Sequence, residues 1–273
     1  MSDKILVLGS TGKTGSRVYK MLQSRGADIY PGSRNSPVPF DWYQDETWPS
    51  ALKGINSVYI TFQPDLAVPA SLGIITKFVQ VAKDAGVKKL VLLSGRGEHE
   101  AMACENAVIN SGLCCTILRA SFFMQNFSEG FWVDGIRTGE FLIPVVKARE
   151  PFIDADDIAD VAVEVLLDDK HDGKIYELTG SELLSFSDTL TKISGALKTD
   201  VRLVEVPVEE YAGILKAHHL PDDVIGLITY LFTEVLDGRN ESVKNDVELV
   251  LKRKASSFDH FVEKAIQSGT WQN

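Results

Sequence analysis

The chain has 273 residues, enough to bury a full core, and its 44% hydrophobic and 24% charged composition excludes the disordered and fibrous classes. A formal charge of −10 disfavours nonspecific association with nucleic acid or an anionic membrane, because the mean field repels phosphate. No uninterrupted apolar stretch approaches the ~20 residues that span a bilayer, and no signal-peptide pattern is present, so a cytoplasmic protein is expected.

Lys4–Leu8 is a short apolar run that reads as a buried parallel strand. Gly9-Ser10-Thr11-Gly12-Lys13-Thr14-Gly15 follows with no intervening polar loop. Ser16 to Arg25 then carries Val18, Met21 and Leu22 at helical spacing. Strand, glycine turn and helix form the context in which such a motif cradles a dinucleotide. Gly9 allows the tight turn, Gly12 lets a pyrophosphate approach the backbone, and Gly15 lets the helix pack on the strand. The helix N-terminus adds unpaired N–H groups and a positive dipole end. An ordinary glycine-rich turn in an α/β protein is the alternative.

Further strands are predicted at 28–31, 57–62, 89–94 and 115–119, with helices at 48–53, 68–85 and 101–111 between them. Gly26, Gly86 and Gly112 sit just past three of the helices, where C-cap glycines belong. The alternation predicts a Rossmann-type, doubly wound parallel sheet with right-handed crossovers, whose ligands bind outside the carboxyl ends of the strands. Segments 9–15, 32–36, 62–68, 94–100 and 120–127 are therefore the ones to inspect. Cys104, Cys114 and Cys115 lack C-x-x-C spacing and histidine company. Cys114 and Cys115 lie in the apolar run 113–118, so buried reduced thiols are expected and no metal site.

Beyond residue 125 the regularity fades. A helix is predicted over 154–167, with Asp154, Asp156 and Asp157 where the helix dipole favours acids. Strands are predicted at 174–178 and 201–206, a helix at 187–197 between them, and mainly helix from 208 to 268. The expectation is a nucleotide domain over 1–125 and a smaller, mainly helical substrate lobe over 126–273, with segments near 150–180 returning to the first.

The nucleotide itself is narrowed by the end of the second strand. An Asp or Glu there usually bonds the ribose 2′-hydroxyl of NAD. Here Pro31-Gly32-Ser33-Arg34-Asn35-Ser36 contains no acid. Ser33 and Arg34 suit a 2′-phosphate instead, since a guanidinium grips it with two parallel bonds, so NADP(H) is expected. Lys13 adds a nearby cation. Asp41 lies where a carboxylate meets the adenine amino group, with an ordinary turn aspartate as the alternative.

The glycine turn, Ser33-Arg34, Leu90-Val91-Leu92-Leu93-Ser94-Gly95, and Ser111-Gly112-Leu113 leading to Thr116-Ile117-Leu118-Arg119 together resemble the NmrA-like family of atypical short-chain dehydrogenases. Phe123-Met124-Gln125-Asn126-Phe127 and Asp154-Ala155-Asp156-Asp157-Ile158-Ala159 extend the likeness, which is strongest over 1–165. Ser94-Gly95-Arg96-Gly97-Glu98 and the segment 232–240 look most like the ergot-alkaloid reductase members, with the quinone oxidoreductase-like members also near. The resemblance implies a cofactor contact at Thr61 and Phe62 and a serine, Ser94, beside the nicotinamide. It does not imply a substrate.

One departure matters. Typical short-chain dehydrogenases use Tyr-x-x-x-Lys, in which lysine lowers the tyrosine pKa for proton shuttling. None of the seven tyrosines here has a lysine four residues later. Sugar epimerisation and simple alcohol oxidation are therefore disfavoured, whereas hydride delivery to an iminium ion or a quinone needs no strong general acid.

Ser94 and His99 are the candidate catalytic residues, with a turn-forming serine as the alternative at Ser94 and no partner identified for His99. The candidate cofactor set is Gly9, Ser10, Thr11, Gly12, Lys13, Thr14, Gly15, Ser33, Arg34, Asp41, Thr61, Phe62 and Ser94. Arg96, Phe122, Phe123, Phe127 and Tyr230 are candidate pocket residues for a flat, apolar small molecule, against core aromatics and a structural ion pair. The expected activity is an NADPH-dependent oxidoreductase acting on a small planar electrophile. The alternative is an NADP(H)-sensing regulator without turnover that signals through a protein partner.

Overall fold

The computed structural model describes residues 3–272 and divides into two compact units. The first comprises Met1–Ala120, Ala155–Leu178 and Asp246–Arg253; the second comprises Ser121–Asp154, Thr179–Asn245 and Lys254–Asn273. In chain order the strands are β1 Lys4–Leu8, β2 Asp28–Gly32, β3 Ser57–Ile60, β4 Lys89–Gly95, β5 Cys114–Ala120, β6 Glu140–Pro144, β7 Ile175–Leu178 and β8 Arg202–Val206. The helices are α1 Lys13–Ser24, α2 Trp48–Leu52, α3 Ser71–Asp84, α4 His99–Ile109, α5 Trp132–Thr138, α6 Ala155–Leu167, α7 Phe186–Leu197, α8 Val208–Ala217, α9 Asp222–Tyr230, α10 Asp246–Leu251 and α11 Phe258–Gln267.

The first unit is built on a six-stranded, all-parallel sheet in the order β2-β1-β3-β4-β5-β7. Its inner strands are continuous apolar runs because both faces are covered, as a parallel sheet requires. Leu6, Leu8, Val58, Ile60, Leu90 and Leu92 face one cluster that includes Trp48 from α2, Phe78 from α3 and Val108 from α4. On the other side of the sheet α1 buries Val18 and Leu22, and α6 packs against α1. Arg17 of α1 donates from Nε to Asp156 in the first turn of α6 at 2.6 Å, and from NH1 to the Lys13 carbonyl at 2.7 Å. Strand order reverses between β1 and β3, the topological switch point of a doubly wound sheet.

The second unit carries its own two-stranded parallel sheet, β6 with β8, together with α5, α7, α8, α9 and α11. Ser185 and Asp188 form a reciprocal capping box at the start of α7, and Gly139 ends α5 with a left-handed φ of 81°. Its core is aromatic: Phe127, Trp132, Phe141, Phe152, Phe186 and Phe258 are buried together.

Three sequence expectations change in detail. Strand β6 is not anticipated at all. The helix predicted from residue 68 begins at Ser71, after a turn in which Ser71 N–H donates to the Val68 carbonyl. Cys114, expected buried, is exposed as the first residue of β5, whereas Cys104 and Cys115 are buried free thiols.

Candidate functional site

The glycine turn leaves β1 with Gly9 at a φ of +62°, a left-handed conformation that a side chain rarely adopts. The Gly12 N–H donates to the Gly9 carbonyl at 2.8 Å, which closes the turn directly onto α1. A Cβ on Gly15 would stand 2.2 Å from the Gly9 oxygen, so only glycine lets α1 start this close to β1. At Gly12 a Cβ would lie 3.3 Å from that oxygen and 3.5 Å from Nε2 of Gln63, so the position is tight from both sides. The first turn of α1 contains no acid and no side-chain cap, and a helix start offers N–H groups without intrahelical partners at a positive dipole end. A turn crowded at its three glycine positions and free of negative charge fits a pyrophosphate. Within this turn Ser10 donates its N–H to the Gly32 carbonyl at 3.4 Å, Thr11 is exposed, and Thr14 is buried.

The loop after β2 is organised by serines. The Ser33 N–H donates to Ser36 Oγ at 2.9 Å, the two hydroxyls share a bond of 2.8 Å, and the Ser33 carbonyl accepts from Ser36 and Phe40. Arg34 projects from this ordered loop, exposed and in no ion pair among the described residues. Asp41 accepts the Tyr43 N–H at 3.0 Å, while its backbone is bonded by Thr47 and Trp48, the arrangement of a turn aspartate.

Past β3, Thr61 sits under the glycine turn: its Cγ2 would be 2.8 Å from a Cβ on Gly9. The Thr61 carbonyl accepts Nε1 of Trp42 at 3.1 Å. Phe62, expected to contact the cofactor, is 5% exposed and packs its ring on Trp42 at 5.0 Å, so its side chain serves the core.

At the end of β4, Ser94 is buried and donates to Oε1 of Glu105 at 2.6 Å. Arg119, beside it on β5, closes on the same carboxylate through Nε at 2.9 Å and NH2 at 2.6 Å. Arg96 is also buried, with its N–H on the Ala120 carbonyl and Nε on Glu177 at 3.0 Å, the structural ion pair weighed against a pocket role. His99 is exposed as the first residue of α4. Ser94, Glu105 and Arg119 are thus brought together, and His99 is not part of that network.

Two acids that sequence reasoning passed over lie in the same region. Asp65, on the loop after β3, and Glu98, immediately before α4, place their carboxyl groups within hydrogen-bonding reach of each other. Burial raises the pKa of both, and the neighbouring Asp65 charge pushes Glu98 further up. Nothing in their local sequence distinguishes them from solvated loop acids. Glu105 did carry a signal, because it shares the buried face of α4 with Ala101, Cys104 and Val108.

In the second unit, Phe127 is fully buried among Phe141, Phe152 and Phe258, so it is core and not a pocket wall. Phe122 stacks on Trp132 at 5.7 Å between centroids and, like Phe123 and Tyr230, stays partly exposed. Trp132 Nε1 donates to the Tyr211 hydroxyl at 3.0 Å, and burial pushes that phenol up to about 12.

The model of the NmrA-like family matches residues 1–262. The chain belongs to the NmrA-like family. Festuclavine dehydrogenase easG of Aspergillus fumigatus is 31% identical over 95% of this chain and 97% of its own length. The NADPH-dependent quinone oxidoreductase QOR2 of Escherichia coli, solved in complex with NADPH, superposes with a TM-score of 0.82 at 19% identity, covering 96% of this chain and 99% of its own. Nmra, a negative transcriptional regulator solved with NAD, superposes with a TM-score of 0.71 at 15% identity over 98% of each chain.

Among the described residues no helix is long and apolar enough to cross a membrane, and no three His, Cys, Asp or Glu are grouped to hold a metal ion.

Proposed function

We propose that this NmrA-like protein is an NADPH-dependent reductase that passes hydride to a small planar electrophile, a quinone or an imine-like compound. The observation that carries the reading is the acid-free turn Gly9–Gly15, whose three glycines leave little or no room for a Cβ, followed after β2 by an acid-free loop that presents Arg34 to solvent. The backbone N–H groups at the start of α1 hold the pyrophosphate, and Arg34 with Ser33 and Lys13 recognises the 2′-phosphate. Thr61 supports the turn from below and Ser94 lies near the nicotinamide. When bound, the dinucleotide supplies the hydride; the protein orients the acceptor and excludes water. Phe122, Phe123 and Tyr230, each partly exposed, are the positions offered for stacking a flat acceptor. The names of the similar proteins, a clavine dehydrogenase and a quinone oxidoreductase, support the same acceptor class.

The decisive experiment is steady NADPH oxidation with a quinone panel, abolished in Gly12→Val. Arg34→Ala is expected to weaken NADPH binding by about 10- to 100-fold, the worth of a charge-assisted bidentate contact, with little change for NADH. Equal losses for both dinucleotides would sink the 2′-phosphate assignment.

A second reading, an NADP(H) sensor without turnover, is favoured by the missing Tyr-x-x-x-Lys and by the likeness to the regulator Nmra. Tight NADPH binding with no turnover on any acceptor, together with a protein partner, would select it.

A further inference from the structure

β3 and β4 are adjacent parallel strands, paired from Ser57 with Lys89 to Ile60 with Leu92, so the loops that leave their carboxyl ends lie side by side. This register brings Asp65 to Glu98. Glu98 is 6% exposed, and its Oε2 is wholly sequestered with no hydrogen-bond partner among the described residues. Its carboxyl group occupies the space beside Gly95 where a Cβ would stand, 2.1–2.3 Å from the carboxyl atoms. Any other residue at 95 would expel it. Asp65 is partly exposed and uses Oδ1 to accept the Ala67 N–H at 2.9 Å.

Neither carboxyl group is in an ion pair among the described residues. The charges that act most strongly on Glu98 are Asp65 from the β3 loop and Glu100 and Glu105 from α4, all negative, and Cys104 on the same helix is a buried thiol. Arg119 is bound to Glu105 and Arg96 to Glu177. Two carboxyl groups in contact, one of them sequestered from water and neither in an ion pair, retain a proton instead of both ionising. The orphaned Oε2 is the atom that such a proton satisfies.

We propose that Asp65 and Glu98 hold one proton between them, and that Asp65, the more accessible member, delivers it to the oxyanion left when a quinone-type acceptor takes up hydride. Glu98 is a positioning residue that keeps the proton on the pair. The delivery step rests on the reductase reading above. A bound reduced dinucleotide would supply the hydride, two electrons with one proton, and be the reductant; a quinone that gains it is a hydroquinone monoanion. The carboxyl O–H bond then breaks, its electron pair stays on the carboxylate, and a new O–H bond forms on the acceptor. Solvent returns the proton to the pair. An iminium acceptor is neutralised by hydride alone and draws no proton from it.

The shared proton is tested without turnover, by carbon-13 NMR titration of side-chain carboxyl groups in the full chain. One carboxyl resonance is expected to remain protonated at neutral pH and to lose this behaviour in Glu98→Gln. Ordinary ionisation of every carboxyl would overturn the proposal. Delivery is tested with benzoquinone and an N-methyl dihydroisoquinolinium salt as acceptors. Asp65→Asn should lower the ratio of quinone to iminium turnover on the order of 10²-fold, the usual worth of general acid catalysis. Glu98→Gln should move the alkaline limb of the quinone pH profile to lower pH, a shift that a purely structural role would not produce. An unchanged ratio overturns delivery. If the wild-type chain reduces neither acceptor, the reductase reading falls and delivery with it, while the titration still decides the shared proton.

Discussion

Glu98, at the extended position that precedes α4, and Glu105, on the buried face of that helix, are both sequestered, and they live in opposite electrostatic worlds. Around Glu105 the strand ends supply Arg119, which approaches both carboxylate oxygens, and the Ser94 hydroxyl. Around Glu98 the next loop supplies a second carboxyl group. Burial is common to both sites, so burial does not decide their charge; the partner does. A compensated carboxylate fastens β4, β5 and α4 together. An uncompensated one holds a proton where the sheet presents its ligand-binding edge.

The largest effect expected from this contrast is at Glu105. Replacing it with Gln leaves the Arg119 guanidinium without a counter-charge and Ser94 without an anionic acceptor. Breaking such a buried pair costs about 3–5 kcal/mol, and the 24% exposure of the Arg119 side chain places the loss toward the lower figure. Urea unfolding at neutral pH measures it. A loss no greater than that of a surface pair would show that Glu105 is not fastening the strands, and the contrast with Glu98 would collapse.

The two glutamates also mark where sequence stops being informative. β1 and the turn at Gly9–Gly15 are legible because their demands are local: a run of apolar residues, then backbone positions with no space for Cβ. The alternating helices and strands to Ala120 are legible for the same reason. Strand β6 is not, because Glu140–Pro144 is defined by pairing with β8, far along the chain. Nor is the return of α10 to the first unit, which no composition shift announces. In the site, Arg34 and the acid-free loop can be read directly. Glu105 was readable from its place on the apolar stripe of α4. Asp65 and Glu98 were not, since only the register of β3 against β4 converts two loop acids into one pair.

At Glu98 a smaller effect of distinctive shape is expected. Its pKa is raised in the folded state, so the folded pair binds a proton that the unfolded chain releases. Stability is therefore fullest below the ordinary carboxylate range and falls as pH rises toward the folded-state value. One proton sets a ceiling of about 1.4 kcal/mol per pH unit on that slope. Glu98→Gln removes the ionisation and should flatten the curve, making the variant the more stable of the two toward neutral pH. Urea midpoints measured from about pH 5 to about pH 8 decide it. Parallel curves for variant and wild type would mean that the pair does not hold its proton.

Glu100 sharpens the comparison with the least disturbance. It is exposed in the first turn of α4, and its charge raises the Glu98 pKa through space. Glu100→Gln should leave stability within about 0.5 kcal/mol of wild type, as surface substitutions do. It should also lower the titration midpoint of the Asp65–Glu98 pair slightly. Salt separates the two origins of the raised pKa. A contribution from an exposed charge is screened as the Debye length falls to about 3 Å at 1 M, whereas the contact with Asp65 and the loss of hydration are not. The midpoint difference between Glu100→Gln and wild type should therefore vanish in high salt while the pair itself keeps its proton. If salt released the proton as well, the pair would be held by long-range field and not by burial, and the distinction between the two glutamates would be one of degree.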